Sequence, residues 1–230
     1  SPTRRSSGLN LYGTNQAPSS GDIAEYAPGA TSPSSTYNAS QPEGVAVDRH
    51  GNIFVADTSY SGGVVNQYAQ GVKNAIASCT VAGNAFGVAV DAHGDVFVSA
   101  ELGDNGPGVV EFSGGLSSCN RTTLINFEYL YPMQPSLALD ANDDLIFPFG
   151  PNVNVIDPPY SAVTRTVGSG LSSVSGVSLN KKNKLLFASD SGTNTVTVIN
   201  YQTGANVKQL GLPYGISQAN GVVDAPNAVY

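Results

Sequence analysis

The sequence has no tryptophan, only two cysteines and two histidines, and few charged residues, which occupy 12% of its 230 positions. Soluble domains average about 25% charged residues, so much of the polar surface here must come from Ser, Thr and Asn. The formal net charge is −7, and the few Lys and Arg residues form no basic stripe. Such a surface repels phosphate backbones, and we therefore expect no nucleic-acid partner.

Long apolar runs and the common catalytic motifs are also missing. The sequence contains no run of 18 apolar residues, which excludes a conventional transmembrane helix. It contains no G-x-S-x-G, P-loop, G-x-G-x-x-G, H-E-x-x-H or C-x-x-C motif. The low lysine content and the Ser/Thr/Asn-rich composition suggest export, so we expect an extracellular or periplasmic protein from which a signal peptide has been removed.

One pattern recurs along the chain and organises it. It reads PEGVAVDRHGNIFVAD at residues 42–57 and FGVAVDAHGDVFVSA at 86–100, with weaker copies SLALDANDDLIFPF at 136–149 and GVSLNKKNKLLFASD at 176–190. Each copy predicts a strand, a tight turn and a second strand, because Asp can bond its own backbone and Gly supplies a positive φ. Two further strand patterns follow each copy. Repeats of about 40–50 residues with four strands each are typical of a β-propeller.

These repeats predict an all-β protein with one propeller domain. We expect residues 1–8 to form a loose leader and residues 9–230 the propeller, most simply with five blades. Residues 9–15 resemble a second strand that lacks its first strand, and residues 215–224 can supply that strand and close the ring. Residues 226–230 resemble another second strand, which leaves a sixth partial blade as an alternative.

The motif P-x-G-V-A-V-D-x-x-G-N-I-F-V-A-D resembles the NHL repeat, and the copy at 176–190 with the residues after it is similar to the YncE-type repeat. The resemblance covers residues 9–224 and implies a propeller. It does not imply one function, because the family includes interaction modules, receptor ectodomains, lyases and lactonases.

Cys79 and Cys119 lie 40 residues apart, in similar places in neighbouring repeats. They permit one disulfide or two free thiols. A disulfide requires Cα atoms about 5.5 Å apart, and equivalent positions in adjacent repeats are usually farther apart. Both alternatives stay open from the sequence.

The two histidines and an acidic segment occupy turns. His50 and His93 each take the third place of a D-x-H-G turn, which predicts solvated positions on the face opposite the usual ligand face of related propellers. Residues 140–144 (DANDD) mimic the opening of a calcium loop, but Leu145 and Pro151 stand where such a loop has Gly and Glu. We interpret this segment as a turn as well.

The candidate binding residues lie just before each first strand and just after each second strand. The acidic members are Glu43, Asp57, Glu101 and Asp190, and the aromatic members are Phe86, Phe149 and Tyr214, with Tyr60 and Tyr131 as further loop candidates. The acidic ring could bind Ca²⁺ or another divalent cation, although Asp57 and Asp190 are interpreted first as loop caps. The aromatic residues suit a peptide, a glycan or a small organic ligand.

The sequence thus favours a monomeric, exported binding or scaffold module without a cofactor. Its ligand could be a protein, a glycan or a small molecule. The alternative is a metal-dependent lactonase or lyase that uses the acidic ring, and a propeller that serves only as a structural appendage is a third hypothesis.

Overall fold

The structure is a computed structural model that describes residues 10–15, 20–59, 62–103, 106–126, 136–180 and 182–211. These residues form nineteen strands in five antiparallel sheets. The protein is an all-β, five-bladed β-propeller built from four-stranded blades, as the repeats predict. No helix of a length and hydropathy suited to crossing a bilayer occurs in this part of the chain.

The strands follow the chain from blade to blade. Blade 1 contains β1 (Leu11–Asn15), β2 (Gly21–Tyr26) and β3 (Ser35–Ala39). Blade 2 contains β4 (Pro42–Val47), β5 (Ile53–Ser59), β6 (Gly62–Tyr68) and β7 (Ala77–Thr80). Blade 3 contains β8 (Ala85–Val90), β9 (Val96–Glu101), β10 (Pro107–Phe112) and β11 (Arg121–Asn126). Blade 4 contains β12 (Ala138–Leu139), β13 (Leu145–Phe149), β14 (Asn152–Ile156) and β15 (Arg165–Val167). Blade 5 contains β16 (Val174–Leu179), β17 (Leu185–Asp190), β18 (Thr195–Asn200) and β19 (Asn206–Leu210).

Blade 1 has three strands among the described residues, and its sheet order is β1-β2-β3. The strand β1 also contacts β4 of blade 2. This contact agrees with the prediction that β1 is the second strand of its blade. The segment 215–224, which we expect to supply the missing first strand, lies outside the described residues, and so does the tail 226–230. Closure by that segment stays a prediction.

The turns between first and second strands form because an Asp side chain replaces backbone partners. Asp48 Oδ1 accepts the backbone N–H groups of His50 and Asn52, both at 2.8 Å. Asp91 and Asp140 accept the corresponding pairs of N–H groups in blades 3 and 4. This is the Asx turn that the D-x-H-G pattern predicts.

The core lies between neighbouring blades. The cluster between blades 2 and 3 includes Phe54, Val65, Val98 and Phe112, which are 3% exposed or less. Middle strands such as β9 are buried on both faces, which explains why they read as continuous apolar runs and not as alternating ones.

Cys79 and Cys119 form a disulfide with a Cα separation of 5.5 Å. Cys79 is buried on β7 of blade 2, whereas Cys119 lies in the loop before β11 of blade 3. The sequence left this pairing open because the cysteines occupy similar places in the two repeats. Cys119 does not lie on its strand, however, and the loop carries it across to blade 2. The bond therefore fastens the outer edges of two blades together.

Gly44 lies where the first strands of blades 2 and 3 approach most closely. A Cβ atom added there would lie 2.6 Å from the carbonyl oxygen of Phe86 and 2.9 Å from Gly87 Cα. Because both obstacles are backbone, we expect Gly44→Ala to lower the free energy of unfolding by about 1–3 kcal/mol. Urea unfolding measures this loss. Gly13→Ala is the matched control, since nothing lies within 4 Å of its added Cβ; equal losses in the two variants would contradict the close approach.

Candidate functional site

The predicted binding residues that the structure describes lie at one end of the propeller, which we call the candidate face. It is the end at which the first strands begin and the second strands finish. The strand register places Pro42 opposite Asp57 in blade 2, and Val174 opposite Asp190 in blade 5. The turns that contain His50 and His93 lie at the opposite end of their sheets.

Three first strands begin with a β-bulge on the candidate face. The register shifts between Pro42 and Gly44, between Ala85 and Gly87, and between Val174 and Gly176. The extra residues are therefore Glu43, Phe86 and Ser175. A bulge leaves one residue outside the ladder and redirects its side chain. The repeat places all three residues just before a first strand, but the bulge that sets the direction of their side chains has no sequence signal beyond the glycine after each.

Glu43 and Phe86 are the bulge residues of two adjacent blades, 2 and 3. Both are half-buried, and Gly44, next to Glu43, packs against the backbone of Phe86. The carbonyl oxygen of Glu43 accepts a 3.1 Å hydrogen bond from Thr14 Oγ1 of blade 1, so the bulge of blade 2 is held from both sides. Ser175 differs, because it is 6% exposed and its Oγ lies 3.2 Å from Ser189 Oγ.

Asp57 is occupied by its own blade. Its side chain accepts hydrogen bonds from the backbone N–H groups of Ser40 at 2.9 Å and Gln41 at 2.6 Å, and from Asn66 Nδ2 at 3.3 Å. The residue is 2% exposed. Asp57 thus fastens the connection that enters blade 2 to the end of β5, which is the geometry of a loop cap.

Asp190 has the same arrangement in blade 5. Its carboxylate accepts the N–H groups of Ser172 and Ser173, each at 2.9 Å, and of Gly192 at 3.0 Å. Burial acts to raise the pKa of this carboxyl, but the donated hydrogen bonds outweigh burial and hold the pKa below its usual value. Asp190 is therefore a buried, charged anchor for the connection between blades 4 and 5.

Blade 3 has Ala100 at the place of these two aspartates and anchors its connection differently. The Glu101 N–H donates to the carbonyl oxygen of Asn84 at 2.9 Å, and Asn84 Nδ2 donates to Glu101 Oε2 at 3.1 Å. Gly83 lies so close to the end of β9 that an added Cβ would overlap the Glu101 carbonyl oxygen. Glu101 is half-buried and remains at the candidate face.

Phe86 and Phe149 pack against one apolar cluster, although they come from blades 3 and 4. Both are half-buried, and the cluster includes Phe97, Leu137 and Phe147. The structure thus brings together two of the predicted aromatic residues. Tyr214, Tyr60 and Tyr131 lie outside the described residues.

The histidines lie in the exposed turns of the opposite end, where the sequence places them. His50 Nε2 accepts a 3.1 Å hydrogen bond from Arg49 Nε. His93 has other neighbours, because its Nδ1 lies 3.4 Å from Asp91 Oδ2 and 3.9 Å from Asp143 Oδ2. Asp140 uses its carboxylate for its own turn and accepts the hydroxyl of Tyr201 at 3.1 Å. Sequence reasoning treated the two histidines as a matched pair and missed Asp143 beside His93.

The chain was compared with known proteins. No family model and no curated protein matches it. A chain in a crystallised nidogen/laminin complex is similar in structure, with a TM-score of 0.63 over 94% of this chain and 84% of that chain. The two chains share a β-propeller fold. Their sequences are 16% identical, so the similarity concerns architecture alone.

Proposed function

We propose that the protein is an exported, NHL-like propeller that binds another extracellular protein through the candidate face. The observation that carries this proposal is the row of bulges, which directs Glu43 and Phe86 out of the ladder at the blade 2 and blade 3 boundary. Bulges are common where a side chain is re-aimed for function. A half-buried aromatic residue and a half-buried carboxylate on adjacent blades suit a partner with apolar and basic side chains.

Three further observations support the proposal. Asp57 and Asp190 accept two or three backbone N–H groups each, so their carboxylates are committed to holding the connections. The disulfide suits an oxidising compartment, which agrees with export. The similar chain comes from a complex between two proteins, nidogen and laminin, by its description. That this chain also binds a protein partner is part of our proposal.

The test is a binding screen with matched surface variants. The labelled protein is applied to arrays of extracellular proteins and of glycans. The affinity of each hit is then measured in solution for the wild type and for the variants Glu43→Lys and Glu101→Lys. We expect at least tenfold weaker binding for these variants, since reversing a charge in contact with a basic partner costs more than about 1.4 kcal/mol. Arg49→Glu reverses a charge at the opposite end and should bind like the wild type.

Three outcomes would contradict the proposal. Protein hits that bind all three variants equally would place the interface elsewhere. Hydrolysis of lactone or ester substrates that disappears in Glu43→Ala would support the enzymatic alternative instead. Hits confined to the glycan array would replace the protein partner by a carbohydrate.

A further inference from the structure

The turns at the opposite end of the propeller bring together one imidazole and two carboxylates from two blades. Asp91 and His93 belong to the turn between β8 and β9, and Asp143 belongs to the turn between β12 and β13. One ligand atom from each residue can be chosen so that all three lie within 4.8 Å of one another. We propose that these three residues bind a divalent first-row transition metal such as Zn²⁺ between blades 3 and 4.

The distances approach those of a three-residue zinc site. Zinc binds imidazole nitrogen and carboxylate oxygen at about 2.0–2.2 Å, so its tetrahedral ligands lie about 3.3 Å apart. The Asp91 Oδ2 to His93 Nδ1 distance is 3.4 Å, and the His93 Nδ1 to Asp143 Oδ2 distance is 3.9 Å. The His93 side chain is 74% exposed and that of Asp143 is 30% exposed, so both can close the remaining gap by rotation. Water would complete the coordination.

Asp91 is a preorganised ligand. Its side chain is 5% exposed, and Oδ1 accepts the backbone N–H groups of His93 and Asp95, both at 2.8 Å. These bonds fix the carboxylate so that Oδ2 points at the His93 ring. Fixed outer contacts of this kind orient metal ligands in known sites.

The ligand types select the metal class. Imidazole suits zinc, copper, iron and nickel, whereas calcium prefers six to eight oxygen ligands. Two carboxylates also neutralise the charge of a divalent ion. Without a cation, the Asp91 and Asp143 carboxylates repel each other across a blade boundary. A bound metal ion would attract both carboxylates, compensate their repulsion and link blade 3 to blade 4.

The repeat supplies an internal control for this site. His50 occupies the same turn position in blade 2 as His93 does in blade 3, and Asp48 corresponds to Asp91. The difference is in the following blade, where Gly94 stands at the turn position that Asp143 occupies in blade 4. Gly94 and Asp143 both have a positive φ, of 93° and 64°, and nothing lies within 4 Å of a Cβ atom added at Gly94, so a carboxylate has room there at the cost of some backbone strain. His50 therefore has an aspartate at the equivalent turn position and lacks the third residue. In addition, Asp48 Oδ2 accepts a 2.8 Å hydrogen bond from Asn52 Nδ2, where blade 3 has Asp95.

The experiment is zinc titration of the chelator-treated full chain by calorimetry, with Co²⁺ absorption as a second readout. We expect one Zn²⁺ per chain and at least tenfold weaker binding in His93→Ala and in Asp143→Asn, with His50→Ala unchanged. Asn is tolerated in this turn, since Asn183 holds the equivalent place with a φ of 51°, so Asp143→Asn should melt like the metal-free wild type.

The triple variant Arg49→Ala/Asn52→Asp/Gly94→Asp should gain a second zinc equivalent, because it removes the Asn52 amide from Asp48 Oδ2 and adds the third carboxylate beside His50. A wild type that binds no Zn²⁺ at 100 μM, or His93→Ala and Asp143→Asn variants that bind it unchanged, would overturn the proposal. A single equivalent in the triple variant would contradict the role given to the carboxylate at that turn position.

Discussion

The Cys119→Ser variant is expected to lose about 4 kcal/mol of the free energy of unfolding. The disulfide closes a loop with a sequence separation of 40 residues, and the chain-entropy estimate for a loop of this length is about 4 kcal/mol. Domains of this kind are stabilised by only about 5–15 kcal/mol in total. Position 119 is exposed, whereas Cys79 is 2% exposed, so Cys119→Ser removes the crosslink without opening a cavity in the core. Urea unfolding with and without reductant measures the effect.

The controls separate the crosslink from the substitution. Reduced wild type should unfold at the same urea concentration as Cys119→Ser, and the variant itself should not respond to reductant. Ser118→Ala, at the neighbouring exposed position, should behave like oxidised wild type. Wild-type stability that is unchanged by full reduction would show that the blades hold together without the bond.

The architecture could be predicted from the sequence because it is repeated. Four copies of one strand-turn-strand pattern, with Asp at the start of each of three turns, specify the hairpins independently. The structure confirms five blades and the Asx turns. The sequence pattern predicts fourth strands at 206–210 and 162–167. The first prediction is confirmed by β19 (Asn206–Leu210), whereas β15 covers only Arg165–Val167.

The site could be predicted only in part. The position of Glu43 and Phe86 at the start of a first strand follows from the repeat, but their bulges depend on the register between strands, which no local pattern encodes. The neighbours of His93 were missed for a similar reason. Asp143 lies 50 residues away in sequence, and only the packing of blade 4 against blade 3 brings it near.

Asp57 and Asp190, at the ends of their second strands, could be interpreted from the sequence either as metal ligands or as loop caps. A carboxylate at the ligand end of a propeller suggests a metal ring, and the same carboxylate beside a tight connection suggests a cap. The hydrogen bonds distinguish the two roles. Asp57 and Asp190 each accept at least two backbone N–H groups, which is the behaviour of a cap. Blade 3 has Ala100 at this position and uses Glu101 with Asn84 instead, so the anchor is a property of the connection and not of the whole ring.

Asp190→Ala is expected to lower the free energy of unfolding by about 3 kcal/mol. The substitution leaves three backbone N–H groups, those of Ser172, Ser173 and Gly192, without their acceptor. A buried donor without a partner costs about 1–3 kcal/mol, and water admitted by the smaller side chain recovers part of the loss. Asp190→Asn keeps one acceptor oxygen and the shape of the side chain, so it should lose about half as much. Urea unfolding at pH 7 measures both variants.

The pH dependence tests whether the charged form of Asp190 is responsible. Because the donated hydrogen bonds hold its folded-state pKa below the ordinary value of 3.8, the unfolded state binds the proton first as the pH falls. The stabilisation by the carboxylate is therefore complete above about pH 4–5 and is lost as the pH falls through the folded-state pKa. The gap in stability between wild type and Asp190→Asn should be full at pH 7 and should narrow below pH 4. A gap that stays constant down to pH 3 would show that Asp190 acts through the shape of its side chain, and the connection between blades 4 and 5 would then need another anchor.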